Sequence, residues 1–194
     1  MRVCRRIVRG VDGVEPRAQS CGSLRDLVHV GSVDDGELGG EDLLPEMSIG
    51  RCERLQPGDI LVTNDSYVTG SHLNHFTFTL PIFHGGKLAG FACCMGHWRD
   101  VGGVLGAVTT DIYSEGLQIP ILKYQDRGVV NQDLVNIIRM NVRIPERGIG
   151  DLRAQVTAVK TGERRFMELL SRYGRAQVLS AIRNIMDQSE AAAR

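Results

Sequence analysis

Residues 58–103 read GDILVTNDSYVTGSHLNHFTFTLPIFHGGKLAGFACCMGHWRDVGG. Two apolar segments, Phe76–Phe83 and Lys87–Met95, flank His84-Gly85-Gly86-Lys87. A glycine pair between apolar runs signals a two-residue hairpin loop, because both central positions of a tight primed turn need positive φ. Folding back at Gly85-Gly86 puts Phe83 opposite Leu88, Asn74 opposite His97 and His72 opposite Arg99. The open end of the hairpin then gathers His72, His75, His97 and Asp100. Opposed residues on paired strands share a face, so His72 and His97 point the same way. His75 needs a bend or bulge to join them, and Gly70 and Gly96 are the expected places for one. Imidazoles with a carboxylate suit a divalent metal such as zinc, manganese or iron. The competing reading is a cluster of half-exposed polar side chains at the end of a sheet.

Composition limits the alternatives. A chain of 194 residues can bury one real core, and a second full domain is not expected. The 23 basic and 23 acidic residues cancel, which argues against a general electrostatic role on nucleic acid or anionic membrane. No apolar run is long enough to span a bilayer, and the arginines near the N-terminus are not followed by the core of a signal peptide. The five cysteines are an odd number. Cys93 and Cys94, adjacent on a strand, face opposite ways and make poor disulfide partners. Reduced thiols and a cytoplasmic location follow. As a nucleophile either cysteine is less expected than as a small buried hydrophobe.

Residues 1–24 are rich in arginine and show no sustained period. Leu27–Ser32 is a short apolar piece carrying His29, and the acidic run from Asp34 to Glu46 reads as a solvated loop. Gln56-Pro57-Gly58-Asp59 is a turn, and Ile60–Thr63 a strand that delivers Asn64-Asp65 to its end. An Asx-type turn is the expectation for Asn64; Asp65 stands between that role and support of a histidine. The glycine-rich 102–106 lacks the context of a nucleotide-binding loop. Ile119–Leu122 should be extended, because the residue before a proline avoids the helical region.

The C-terminal third changes period. Asn131 caps a helix with Leu134, Val135, Ile137 and Ile138 on one face, ending before Pro145. A longer helix from about Arg147 to Tyr173 carries the stripe Ile149, Leu152, Val156, Val159, Phe166, Leu170, Tyr173. Gly174 stops it, and a last helix presents Val178, Leu179, Ile182, Ile185 and Met186. The fold class is α+β: an antiparallel, hairpin-centred sheet followed by amphipathic C-terminal helices. Two such helices form a hairpin that must cover something.

Six segments carry a resemblance: NDSYVTGSHLNH (64–75), FHGGKLAGF (83–91), GHWRDVGG (96–103), SEGLQIP (114–120), NVRIPERGIGDLRAQVTAVKTGERR (141–165) and LLSRYG (169–174). Together they resemble the hydantoinase B/oxoprolinase family, collinearly from about Pro57 onward. That family includes B subunits of ATP-dependent N-methylhydantoinase, the matching half of 5-oxoprolinase, and subunits of acetone and acetophenone carboxylases. The resemblance implies a truncated copy: residues 27–194 as a partial domain, with residues 1–26 an atypical segment and a candidate for disorder.

It also implies an activity and partners. The chain would be a cytoplasmic fragment of a B-type subunit in a hetero-oligomer with an A-type ATPase subunit that binds ATP. The pair would open a cyclic amide or imide such as N-methylhydantoin or 5-oxoproline. In the carboxylase branch a histidine, an aspartate three residues on and a later histidine hold a metal. Those positions fall on His72, His75 and His97, with His75 in place of the aspartate. Asp100 would orient His97 or complete the ligand set, and Asp65 and Glu115 are candidates for proton handling. The alternatives are a carboxylase-type subunit, or an inactive fragment that works only through partner contacts.

Overall fold

The computed structural model describes residues 28–32, 55–105 and 108–194. The expectations for residues 1–26 and for the acidic run after Val33 lie outside the described residues.

The centre of the molecule is the expected hairpin. Strand β3 (His75–His84) and strand β4 (Lys87–His97) pair antiparallel around Gly85 and Gly86, which both take positive φ. Four further strands extend the sheet: β1 (Val28–Ser32), β2 (Ile60–Thr63), β5 (Leu122–Asp126) and β6 (Val129–Val130). The order is β1-β4-β3-β2-β5-β6, and every neighbouring pair is antiparallel.

The hairpin register departs from the expectation at one place. Phe83 faces Leu88 as expected, but Ile82 faces Gly90, so Ala89 is an extra residue on β4. Every pair beyond that bulge is displaced by one. His75, not Asn74, therefore lies opposite His97. The irregularity is at neither Gly70 nor Gly96.

Helices cover one face of this sheet. Helix α1 (Ser66–Thr69) is a single turn between β2 and β3. After β6 come α2 (Gln132–Asn141), α3 (Pro145–Tyr173) and α4 (Arg175–Ala193). Asn131 caps α2 by accepting the Leu134 amide at 3.0 Å, and Pro145 opens α3, where its missing N–H costs nothing. Helix α3 packs on β3 and β4, α2 lies against α3, and α4 packs on α3, with Arg175 at its start donating to the Leu88 carbonyl of β4 at 3.2 Å. The core joins Phe76, Phe78, Leu80 and Ile82, alternate residues of β3, to Ile149, Leu152, Val156, Val159, Phe166 and Leu170 of α3. Tyr173, expected on the same stripe, is 49% exposed.

The start of β2 is fixed by a buried carboxylate. Asp59 accepts the amides of Gln56 (2.9 Å) and Arg127 (2.7 Å) and pairs with Lys123 Nζ at 2.9 Å. These bonds tie the turn before β2 to the β5–β6 turn. Cys93 and Cys94 are buried on β4, and burial pushes the Cys94 thiol up, away from the reactive thiolate. Among the described residues no helix is long and apolar enough to cross a membrane.

Candidate metal centre

Three imidazoles meet at the open end of the hairpin. His75 begins β3, His97 ends β4 directly opposite it, and His72 comes in from the turn before β3. Ring centroids lie 4.4 Å apart for His72 and His75, 4.9 Å for His72 and His97, and 5.0 Å for His75 and His97. One ring nitrogen from each lies within 4.8 Å of those from the other two.

The local chain explains the convergence. Asp65 caps α1 by accepting the Tyr67 amide at 2.9 Å, and Gly70 ends it in the left-handed region. A tight turn follows, closed by the His75 amide on the His72 carbonyl at 3.0 Å. Asn64, fully buried, holds this turn in place. Its Nδ2 donates to the carbonyls of Leu73 and Leu117, each at 2.8 Å, and its Oδ1 accepts the Ile119 amide at 2.7 Å. Asn64 is thus a staple across distant segments rather than the expected local turn, and the local capping falls to Asp65.

Behind the histidines the hairpin is anchored to α3. Trp98 stacks on Phe76 at 4.0 Å, and its Nε1 donates to Gln155 Oε1 at 2.7 Å. Gln155 Nε2 donates to the carbonyls of Phe76 (2.8 Å) and Cys94 (3.2 Å). Sequence reading missed Gln155; its only signal is a polar residue within the apolar stripe of α3.

Asp100 does not join the converging rings. It accepts the backbone amides of Gly102 and Arg143, and Arg143 Nη1 lies 2.7 Å from its Oδ1. Burial alone would raise its carboxyl. The Arg143 and Gly102 amides and the Arg143 guanidinium outweigh that and hold it below the ordinary carboxylate range. Asp65 is occupied as a cap, and Glu115 is an exposed carboxylate bonded to Thr109 Oγ1 at 3.0 Å. Among the described residues the candidate ligand set is His72, His75 and His97.

The donor set fits a borderline divalent ion such as zinc, which takes imidazole nitrogens at about 2.0–2.1 Å and leaves a fourth position open when three protein ligands bind it. Burial, followed by the neighbouring charges of His72 and His97, holds the His75 imidazole below its ordinary range, which favours the neutral form a metal requires. His75 Nδ1 is in hydrogen-bond contact with Ser71 Oγ, and His72 Nδ1 with Asn74 Oδ1 at 3.2 Å.

A family model described as hydantoinase B/oxoprolinase matches residues 37–194. The chain belongs to this family. Its relatives include an uncharacterized protein of Methanocaldococcus jannaschii, 36% identical over 84% of this chain and 29% of the relative. Caprolactamase subunit beta of Pseudomonas jessenii is 35% identical over 71% of this chain and 24% of that subunit. The crystal structure of the ATP-dependent caprolactamase from Pseudomonas jessenii superposes with a TM-score of 0.68 at 35% identity, covering 72% of this chain and 25% of that one. A nucleotide-free acetone carboxylase structure shares the fold, with a TM-score of 0.63 at 20% identity over 69% of this chain and 18% of that one. The chain spans between 24% and 29% of the length of the two curated relatives.

Proposed function

We propose that this chain supplies the metal-binding hairpin of a hydantoinase B-type subunit and acts, with an A-type ATPase subunit, in the ATP-dependent opening of a cyclic amide. The observation that carries the proposal is the convergence of the His72, His75 and His97 ring nitrogens. The greater likeness to caprolactamase than to acetone carboxylase supports a lactam or cyclic imide over a ketone.

A divalent ion held by the three imidazoles would polarise the amide carbonyl or activate water. The chain's own residues prepare that site. His75 is half-buried, and that burial favours its neutral form, while His72 and His97 stand exposed to solvent. Trp98 and Gln155 fasten the strand ends, so two of the three ligands sit on a rigid sheet. The proposal assigns no step to Asp65, Glu115 or Asp100.

The test is metal analysis of the purified chain beside His72→Ala and His97→Ala, followed by co-expression with an A-type subunit and an assay of ATP hydrolysis on adding a lactam. Bound metal in the parent, lost in both variants, with lactam-dependent ATP hydrolysis, is the expected result. Equal and negligible metal in all three would remove the site. Metal binding without any lactam-dependent hydrolysis would remove the cyclic-amide assignment.

A further inference from the structure

The geometry points to Asn74 as a positioning residue that sets the tautomer of His72, so that the His72 Nε2 lone pair is the one offered to a metal. The inference rests on the metal reading of the three histidines only for its consequence; the tautomer itself is a property of the metal-free chain.

Trp98 is the fixed point from which the Asn74 side chain is oriented. Its side chain is 1% exposed, stacked on Phe76 and bonded to Gln155, and its amide donates to the Asn74 carbonyl at 2.7 Å. The Trp98 carbonyl is therefore held in a fixed place beside the Asn74 side chain. A carbonyl only accepts, so the Asn74 amide must present its Nδ2–H to it, as it does at 2.9 Å. That choice decides the other end of the amide. Oδ1 is turned to His72 Nδ1 and can only accept there, so a neutral His72 carries its proton on Nδ1. The Nε2 lone pair is left free. Flipping the amide would set oxygen against oxygen at Trp98, and a proton on His72 Nε2 would set a lone pair against Asn74 Oδ1.

The chain thus passes a constraint from the residue after His97 to the ring of His72. An outer partner that fixes the tautomer of a histidine ligand and raises its basicity affects metal affinity by about 10- to 100-fold in comparable sites.

Long-range proton–nitrogen NMR of the full, metal-free chain, at a pH where imidazoles are neutral, reads the tautomer directly. The expected spectrum shows His72 protonated on Nδ1. Asn74→Leu should shift it toward Nε2 protonation. The His75 and His97 ring signals should keep their positions in Asn74→Leu, which separates the lost hydrogen bond from any general loosening of the turn. An Nε2-protonated His72 in the parent, no change at His72 in Asn74→Leu, or an equal change at His75 and His97 in that variant overturns the assignment.

Zinc titration of the same samples tests the consequence: about tenfold weaker binding by Asn74→Leu is expected, and equal affinity overturns the link to the metal. A parent chain that shows the tautomer pattern and binds no zinc would overturn the metal reading while leaving the tautomer assignment in place.

Discussion

Gly96 and Gln155 meet where the hairpin comes closest to helix α3. A methyl group at Gly96 would lie 2.7 Å from Gln155 Cδ and Nε2, inside any tolerable contact. Gly96→Ala should therefore push the amide away from the Phe76 and Cys94 carbonyls and from Trp98 Nε1. Each buried polar group left unpaired costs about 1–3 kcal/mol, and chemical denaturation of the variant should show a loss of at least that size.

Asp100 supports a pH prediction. Its folded carboxyl lies below the unfolded value, so its stabilising effect is fully present above the unfolded range near about 3.9 and is lost as pH falls through the folded value. Asp100→Asn should be less stable than the parent at neutral pH, by about 1 kcal/mol given that Arg143 is 42% exposed. The two denaturation curves should converge in acid. A gap that persists unchanged in acid would contradict the role of the charge. The fates of Asn64 and Asp100 were hidden in the sequence for one reason: their partners at Ile119 and Arg143 are 55 and 43 residues away. Local composition favours a turn for one and a ligand for the other, and only tertiary packing decides.

Elements were more legible than single side chains. The double glycine located the hairpin because no other residue pair takes two successive positive φ values so cheaply. The period of apolar residues located α3 and α4 because each buries a stripe. What the pattern did not carry is the bulge at Ala89, since an extra residue in a strand leaves the apolar character intact while shifting every later pair. It also did not show how far α4 is covered. Val178 and Leu179 are buried on α3, whereas Ile185 and Met186, expected on the same face, are 63% and 44% exposed. Leu170→Ala, in the core of α3, should cost about 2–5 kcal/mol. Ile185→Ala should change stability by no more than about 0.5 kcal/mol. Thermal or denaturant unfolding of the two variants checks both; similar losses would mean that α4 is packed along its whole length.

At the scale of the whole molecule, the sheet is a platform whose open end carries chemistry. Helix α3 covers one face of the hairpin, Trp98 and Gln155 lock the end of that contact, and the histidines stand just beyond it. The fold class follows from the change between a period of two and a period of about 3.6 along the chain. The meeting of the three histidines followed only partly, because His72 enters from a turn rather than from the ladder. The most direct test is X-ray absorption on the zinc-loaded full chain. The account predicts a first shell with three imidazole nitrogens at about 2.0–2.1 Å, reduced to two in His75→Ala. A zinc shell without imidazole scattering, or one unchanged by that substitution, would contradict it.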